Sequence, residues 1–446
     1  MVSTSPGKKR LRLLQLVAVI FLTVSGGPYG LEPLLTYAGN NGALLLLIIT
    51  PILWDVPTIL TVLELNSMMP VTGGYYQWVK KALGLRFAFY EGWWTWLYTF
   101  VDLAIYPVLF IEYASYFFPG IEAYKIPICL IIIWAGAALN ILGIVLVGET
   151  SLILGIAVIT PFIALFITAF TSHSVLFSMP HPSLSGIHFS ALGLALFTVM
   201  WNFCGWDNTM TYAEEVDNPV RSYIKSTIIA FFVIFAVYLI TVLTSQASGI
   251  DYNVLNEEGF PAVGFLIGGN WLGSLISAGG IASTLGLFSA VLLSVSRVPK
   301  VMSDDKLLPR KLNSVHPKYK TPYVSIIVCS LIVSVMILWT FADLLIIDIT
   351  LYGAGLFLEF LSLIVLRKKM ADAHRPFKIK LNITGLIIMT LIPFSVYLIA
   401  LTGSFAAGNS DAVLFAVIAL VSAEIIWQII IRFNPSIKNT KVLQAE

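Results

Sequence analysis

The sequence predicts an all-α integral membrane protein of about twelve transmembrane helices, and three observations carry that prediction. Of the 446 residues, 58% are hydrophobic and only 11% are charged, whereas soluble domains average nearer half apolar and a quarter charged. Apolar runs of about 20 residues, the length that crosses a bilayer as a helix, recur along the chain. No long polar stretch interrupts them, so residues 1–446 are expected to form a single transmembrane domain.

Twelve apolar segments satisfy this length rule, and we number them in chain order. They span residues 13–37, 42–66, 89–117, 126–147, 151–171, 189–213, 223–247, 272–298, 323–342, 345–366, 381–403 and 411–432. We expect residues 13–403 to hold a ten-helix core plus segment 11, and residues 411–432 to form segment 12. Residues 1–12 and 433–446 are then cytoplasmic tails.

The basic residues predict the orientation in the membrane. With the N-terminus in the cytoplasm, every one of the 26 Lys and Arg residues except Lys125 falls in a cytoplasmic loop or tail, as the positive-inside rule requires. This distribution predicts an even number of helices and both termini in the cytoplasm. We expect a multi-pass protein of the plasma membrane. The outer connections 172–188 and 248–270 are mildly polar and could hold short surface helices.

Segments 1 and 6 are interrupted in their middles. Three glycines and a proline at residues 25–30, and a glycine with polar side chains at residues 201–208, oppose a continuous helix. A single break is explained by a packing kink, but broken segments at matching places in two halves indicate a transporter site. The candidate substrate-binding residues at these breaks are Ser25, Gly26, Gly27, Tyr29, Gly30, Trp201, Asn202, Trp206 and Asp207.

Acidic residues at membrane depth are costly and are therefore functional candidates. The segments contain Asp55, Glu64, Asp102, Glu112, Asp207, Asp348, Glu359 and Glu424. No Lys or Arg lies well inside a segment, so we expect these acids to lack buried basic partners and to face a cationic solute, water or an ion. Glu64, with Glu214 and Glu215, is interpreted as an inner-gate or loop-anchoring group, whereas Asp348 and Glu424 receive no role.

Several short motifs occur in an order that resembles one family. They include Ser-Gly-Gly-Pro-Tyr-Gly at 25–30, Pro-Val-Thr-Gly-Gly-Tyr-Tyr-Gln-Trp-Val at 70–79, Tyr-Pro-Val-Leu-Phe-Ile-Glu-Tyr at 106–113, Trp-Asn-Phe-Cys-Gly-Trp-Asp at 201–207 and Ala-Glu-Glu-Val-Asp-Asn-Pro at 213–219. The chain resembles the amino acid–polyamine–organocation superfamily, and within it the plant-type polyamine uptake group. This resemblance implies a leucine-transporter-type fold of two inverted five-helix repeats, with a site between segments 1, 3, 6, 8 and 10. It also adds Glu112 and Glu359 to the substrate-binding candidates.

The substrate remains open between an organic cation and an amino acid. The carboxylate of an amino acid would bind free backbone N–H groups where segment 1 resumes. Pro28 lacks one such donor and the acids would repel a carboxylate, which favours a polyamine. Gly26, Gly27, Tyr29 and Gly30 still offer N–H groups, so a cationic amino acid is the alternative.

The coupling ion also remains open. Segment 5 has no lysine, so the lysine proton switch of some family members is absent. We expect proton coupling through a carboxylate, with sodium coupling and exchange without an ion as alternatives. The coupling candidates are Asp207, Glu112, Asp102, Ser283 and Thr284.

Other classes of protein fit the sequence less well than a secondary active transporter. The five histidines lie in loops or at segment edges, and no nucleophile or metalloprotease motif occurs. We therefore expect no enzyme activity, cofactor, metal or nucleic-acid partner. A receptor or subunit that binds without transporting is the alternative of another class.

Overall fold

The computed structural model describes residues 10–171, 183–337 and 341–433, and within these ranges helices dominate. The extended pairing found there is limited to two isolated bridges, Leu11 with Val216 and Thr72 with Tyr212. The prediction of an all-α protein is confirmed.

Seventeen α-helices run through the described residues. They are α1 Leu13–Val24, α2 Glu32–Thr50, α3 Val56–Met68, α4 Gly74–Leu83, α5 Leu85–Ser115, α6 Lys125–Leu142, α7 Ile144–Thr171, α8 Phe189–Asn202, α9 Pro219–Ser248, α10 Tyr252–Glu258, α11 Phe260–Gly268, α12 Asn270–Val295, α13 Arg297–Asp304, α14 Tyr323–Met336, α15 Phe341–Lys369, α16 Ile383–Ala406 and α17 Ser410–Phe433. A π-helical turn, Pro51–Asp55, joins α2 to α3. Within α2, Gly39 has a φ of 62° and a ψ of −175°, and this kink separates the end of segment 1 from the start of segment 2.

Nine helical stretches in the described ranges are long and apolar enough to cross a membrane. Three shorter apolar helices, α1, α8 and α14, accompany them. Each of these twelve helical stretches overlaps one of the twelve predicted segments. The number of helices that cross a bilayer and the inverted repeat remain predictions.

The burial of the helices shows which of them form the core. We compared the most apolar stretch of 18 residues in each helix. In α5, and in the continuous stretch formed by α12 and α13, 78% of these residues are buried, against 17% in α17. Large apolar side chains such as Ile131, Ile153 and Phe170 are exposed on the outside of the bundle. In water such a surface would be unfavourable, whereas lipid tails cover it without cost.

The loops contact one another in two groups, and these are the cytoplasmic group and the outer group that the basic residues predict. Among the predicted cytoplasmic loops, Leu11 donates its N–H to Glu215, and Lys80 binds Asp305 at 2.5 Å. On the predicted outer side, Gln246, near the end of segment 7, donates to the carbonyl of Asn40 in the connection between segments 1 and 2. The helices α10 and α11 lie in the connection 248–270, as predicted, whereas residues 172–182 of the other connection lie outside the described ranges.

Segment 6 is an α-helix only in its first part, although its predicted span runs to residue 213. The helix α8 ends at Asn202, and the chain then forms two 3₁₀ turns, Asn208–Thr211 and Ala213–Glu215. The hydroxyl of Thr209 donates to the carbonyl of Trp206, and that of Thr211 to the carbonyl of Asn208. Such side-chain bonds compete with helical ones, which accounts for the irregular backbone.

Candidate functional site

The first break lies between α1 and α2 and depends on glycine. Gly26, Gly27 and Gly30 have φ values of 60°, 92° and 85°, a region that glycine enters without steric cost. A Cβ atom on Gly26 would lie 2.5 Å from Leu287, and one on Gly30 would lie 2.7 Å from Trp201. The backbone at this break therefore packs directly against α8 and α12.

The two breaks contact each other, as the sequence predicts. The side-chain amide of Asn202, at the end of α8, donates to the carbonyl of Gly30 at 3.1 Å. The hydroxyl of Tyr238, from α9, lies 2.7 Å from the Ser25 hydroxyl and 2.8 Å from the Asn202 carbonyl. Tyr29 donates its hydroxyl to the carbonyl of Ile276 on α12 at 2.6 Å. These bonds fix the relative position of both breaks.

Asp207 lies in the second break and is 2% exposed. Tyr352, on α15, donates its hydroxyl to Asp207 at 2.8 Å and accepts the N–H of Gly205 at 3.2 Å. The carboxyl groups of Glu91 and Glu359 are neighbours of Asp207. Three acidic groups from α5, α15 and the break thus face one another in the protein interior.

A second group of acids surrounds Asp102 on α5. Tyr106 donates its hydroxyl to Asp102 at 2.5 Å, and Trp201 and Asp348 are neighbours of the same carboxyl group. The indole of Trp206 donates instead to Asp55, at 3.1 Å. The predicted residues Trp201 and Trp206 therefore contact different carboxyl groups.

An open cavity of about 650 Å³ lies on the side of the breaks that is predicted to face outward. Its lining includes Gly30 and four acids, Glu32, Glu112, Glu122 and Glu258, but no Lys or Arg among the described residues. Glu112 is exposed in this cavity. Glu112 and Asp207, which the sequence prediction placed in one site, thus occupy two places, because Glu112 lies near the outer end of α5.

Glu32 lies at the junction of the cavity and the first break, and the sequence analysis missed it. Its carboxylate accepts the N–H of Gly30 at 2.7 Å and that of Phe260 at 3.4 Å. The helix α2 begins at Glu32, where a negative charge is favoured by the helix dipole. The signal in the sequence was an acid two positions after the last glycine of the break.

The two hydroxyl candidates for ion coupling differ in their surroundings. Ser283, on α12, donates to the carbonyl of Gly26 in the first break. Thr284 donates to Ile281 of its own helix at 2.9 Å. Ser283 therefore contacts the site, whereas the hydroxyl of Thr284 satisfies its own helix.

The expectation that the membrane acids lack basic partners is wrong for Glu64 and Glu424. The guanidinium of Arg367 donates to both carboxylate oxygens of Glu64, to Oε2 at 2.5 Å. Arg375 lies 3.3 Å from the same carboxylate. Arg86 binds Glu424 at 2.7 Å. The long arginine side chains reach these acids from positions near the helix ends, which the linear count of segments did not allow for.

The buried acids fall into two classes, those that pair with an arginine and those that do not. Glu215 pairs with the buried Arg297 at 3.3 Å, in keeping with the anchoring role predicted for Glu64 and Glu215. By contrast, no ion pair involves the remaining buried acids of the described residues, which are Glu32, Asp55, Glu91, Asp102, Asp207, Asp348 and Glu359.

The apolar helical bundle and its paired breaks define a multi-pass membrane transporter. The family model for amino acid permeases matches residues 11–431, and the chain belongs to that family. It is 32% identical to a polyamine transporter of Arabidopsis thaliana over 88% of this chain and 81% of the relative. A polyamine transporter of Oryza sativa subsp. japonica is 29% identical over 88% and 74% of the two chains. A serine/threonine exchanger of Bacillus subtilis is 23% identical over 84% and 87%. Family membership favours transport over the alternative of a receptor that only binds.

Proposed function

We propose that this transporter is a secondary active carrier of an organic cation without an α-carboxylate, such as a polyamine. The observation that carries the proposal is the position of Glu32. Its carboxylate accepts the N–H of Gly30, at the helix start where the carboxylate of an amino acid substrate would bind. The protein thus supplies from its own chain the anion that an amino acid would bring.

The other backbone donors of the first break support the same conclusion. Gly26 donates its N–H to Phe21, and Gly27 donates to the hydroxyl of Ser25 at 3.0 Å. With Gly30 bound to Glu32, three of the four donors that the sequence left available are occupied. An incoming carboxylate would also meet the carboxyl groups of Glu32 and Glu112, which repel it when they are ionised.

The interior offers what a cation needs. Glu91, Asp207 and Glu359 are acidic groups that a cation can approach, and the rings of Tyr98 and Tyr352 stand beside Asp207, 5.4 Å apart in an edge-to-face contact. Aromatic faces attract alkylammonium groups, by about 2 kcal/mol or more when water is excluded. The names of the plant relatives, which are polyamine transporters, point in the same direction.

Transport of amino acids is the second candidate, favoured by the likeness to the bacterial serine/threonine exchanger. Pairs of ligands that differ only in the α-carboxylate separate the two functions. We expect cadaverine and agmatine to raise the unfolding temperature of the purified protein, because a ligand stabilises the state that binds it. Lysine and arginine, their carboxylated counterparts, should have little effect. Equal stabilisation by lysine and cadaverine would contradict the proposal.

For coupling, a proton carried by an interior carboxyl group is the preferred mechanism. The hydroxyl of Ser283 donates to the carbonyl of Gly26 and keeps the oxygen lone pairs that a sodium ion would bind, so sodium coupling is the alternative. Asp207 and Glu359, whose carboxyl groups lie beside each other in the interior, are the candidate proton carriers. Uptake driven by an imposed pH gradient in sodium-free proteoliposomes tests this mechanism, and an absolute requirement for sodium would refute it.

A further inference from the structure

Two helices that face each other carry matching acids and tyrosines. On α5 these are Glu91, Tyr98 and Asp102, and on α15 they are Asp348, Tyr352 and Glu359. Spacings of four, seven and eleven residues bring side chains to one face of an α-helix. The contact between the Tyr98 and Tyr352 rings shows that the two faces meet.

The acids form two pairs, one at each end of this shared face. Asp102 is the charged neighbour of Asp348, and Glu91 is a neighbour of Glu359. The pairing requires that the two helices run in opposite directions, because the order of the acids is reversed between them. All four side chains are at most 5% exposed. We call Asp102 and Asp348 the outer pair, and Glu91 and Glu359 the inner pair.

The carboxyl groups of both pairs are incompletely hydrogen-bonded and have no basic partner among the described residues. Neither oxygen of Asp348 has a hydrogen-bond partner in the described part of the chain, and one oxygen each of Glu91 and Asp102 is also unsatisfied. For Glu359 the one polar neighbour is another acid, Asp207. The charged groups that act on these acids are other acids rather than Lys or Arg. Buried acids left in this way are stabilised when a cation reaches them.

The packing between the helices leaves space for the inner pair. A Cβ atom on Gly355 of α15 would lie only 2.8 Å from a carboxyl oxygen of Glu91. Any larger residue at this position would displace the Glu91 carboxyl group. The absence of a side chain thus lets an acid of α5 approach the backbone of α15.

The second break connects the two pairs. Cys204 is a neighbour of Asp102, Asp348 and Asp207, and Asp207 is a neighbour of Glu91 and Glu359. A fifth carboxyl group, that of Asp207, therefore lies between the outer pair and the inner pair, on the side closer to the inner one.

The separation of the pairs has the length of a linear polyamine. Eleven residues at 1.5 Å per residue place the outer and inner acids of each helix about 16 Å apart along the axis. At the advance per bond of an extended chain, the terminal nitrogens lie about 16 Å apart in spermine, about 11 Å in spermidine and about 6 Å in putrescine. We propose that the outer and inner pairs bind the two terminal ammonium groups of one extended polyamine, so that they select substrates by length. This inference rests on the proposed function and specifies its substrate class.

Competition between amines of different length tests the proposal. We expect spermine to compete with labelled spermidine roughly tenfold better than putrescine does, since putrescine reaches only one pair and forgoes a charge-assisted contact. In Asp348→Asn, spermine should lose most of this advantage while the affinity for putrescine changes by less than about threefold. Glu149→Gln, which removes an exposed acid at the start of α7, should preserve the order of the amines.

The outcomes separate this proposal from the proposed function. Equal competition by spermine and putrescine in the unmodified protein, or an equal loss for all amines in Asp348→Asn, would overturn selection by length. If no amine of any length bound the unmodified protein, the proposed function itself would fail. Should Asp348→Asn not fold, Gly355→Ala provides a second test, because displacement of Glu91 should also weaken spermine more than putrescine.

Discussion

The carboxylate of Glu32 shows how one side chain can set the class of substrate. It accepts the N–H groups of Gly30 and Phe260, from the first break and from α11. The sequence indicated the break and its glycines but left the Gly30 donor free for a substrate. The direction of the Glu32 side chain depends on the turn at residues 25–31 and on the position of α11, a contact across more than two hundred residues that no local pattern reveals.

Replacement of Glu32 by alanine should therefore change selectivity between carboxylated and decarboxylated ligands. The variant frees the Gly30 N–H and removes a repelling charge, so we expect the affinity for arginine relative to agmatine to rise roughly tenfold, the size of one charge-assisted hydrogen bond. Competition against a labelled amine measures this ratio. Glu122→Gln removes an acid from another wall of the same cavity and should leave the ratio unchanged. An unaltered ratio in Glu32→Ala would refute the role given to this residue.

At the scale of helices, the ends of α3 and α15 are held together by a buried ion pair. Arg367 and Glu64 have side chains only 8% and 1% exposed, and the same carboxylate accepts the N–H of Ile379 at 2.8 Å. The apolar segments predicted both helices. They did not predict that Arg367, at the end of α15, would reach Glu64 in α3. The inner ends of the two helices are therefore expected to separate only when this pair breaks.

Removal of one partner from this pair should destabilise the protein strongly. Arg367→Met leaves Glu64 buried with only Arg375 nearby, and we expect a loss toward the lower end of about 3–5 kcal/mol, seen as a lower unfolding temperature in detergent. Restoration by the double variant Glu64→Gln with Arg367→Met would show that the uncompensated charge is the cause. Arg86→Met breaks the exposed pair with Glu424 and should cost at most about 1 kcal/mol. Similar losses for Arg367→Met and Arg86→Met would contradict the account.

At the scale of the molecule, composition and loop charge predicted most of the fold. The twelve apolar segments, the two breaks and the grouping of the loops follow from hydropathy and from the distribution of Lys and Arg, which are properties of the chain as a whole. The irregular end of segment 6 and the separation of Glu112 from Asp207 were missed. Both depend on side-chain hydrogen bonds and on positions along a long helix, which segment boundaries do not resolve.

The orientation of the whole molecule can be tested by cysteine labelling. All three native cysteines, Cys129, Cys204 and Cys329, are buried, so the unmodified protein should react little with an impermeant maleimide. In intact cells we expect labelling of Glu122→Cys but not of Lys318→Cys, both exposed positions, because the positive-inside rule places residue 318 in the cytoplasm. Permeabilised cells provide the control, since both variants should then be labelled. The reverse pattern would show that the orientation is inverted.

Counterflow in proteoliposomes tests the central claim most directly. Vesicles loaded with unlabelled spermidine should accumulate labelled spermidine transiently through the unmodified protein, whereas vesicles loaded with lysine should not. Asp207→Asn removes the charge that Tyr352 holds in the second break and should abolish this accumulation while the protein remains folded. Exchange driven equally by lysine, or full accumulation by Asp207→Asn, would contradict a carrier that binds carboxylate-free cations at the paired breaks.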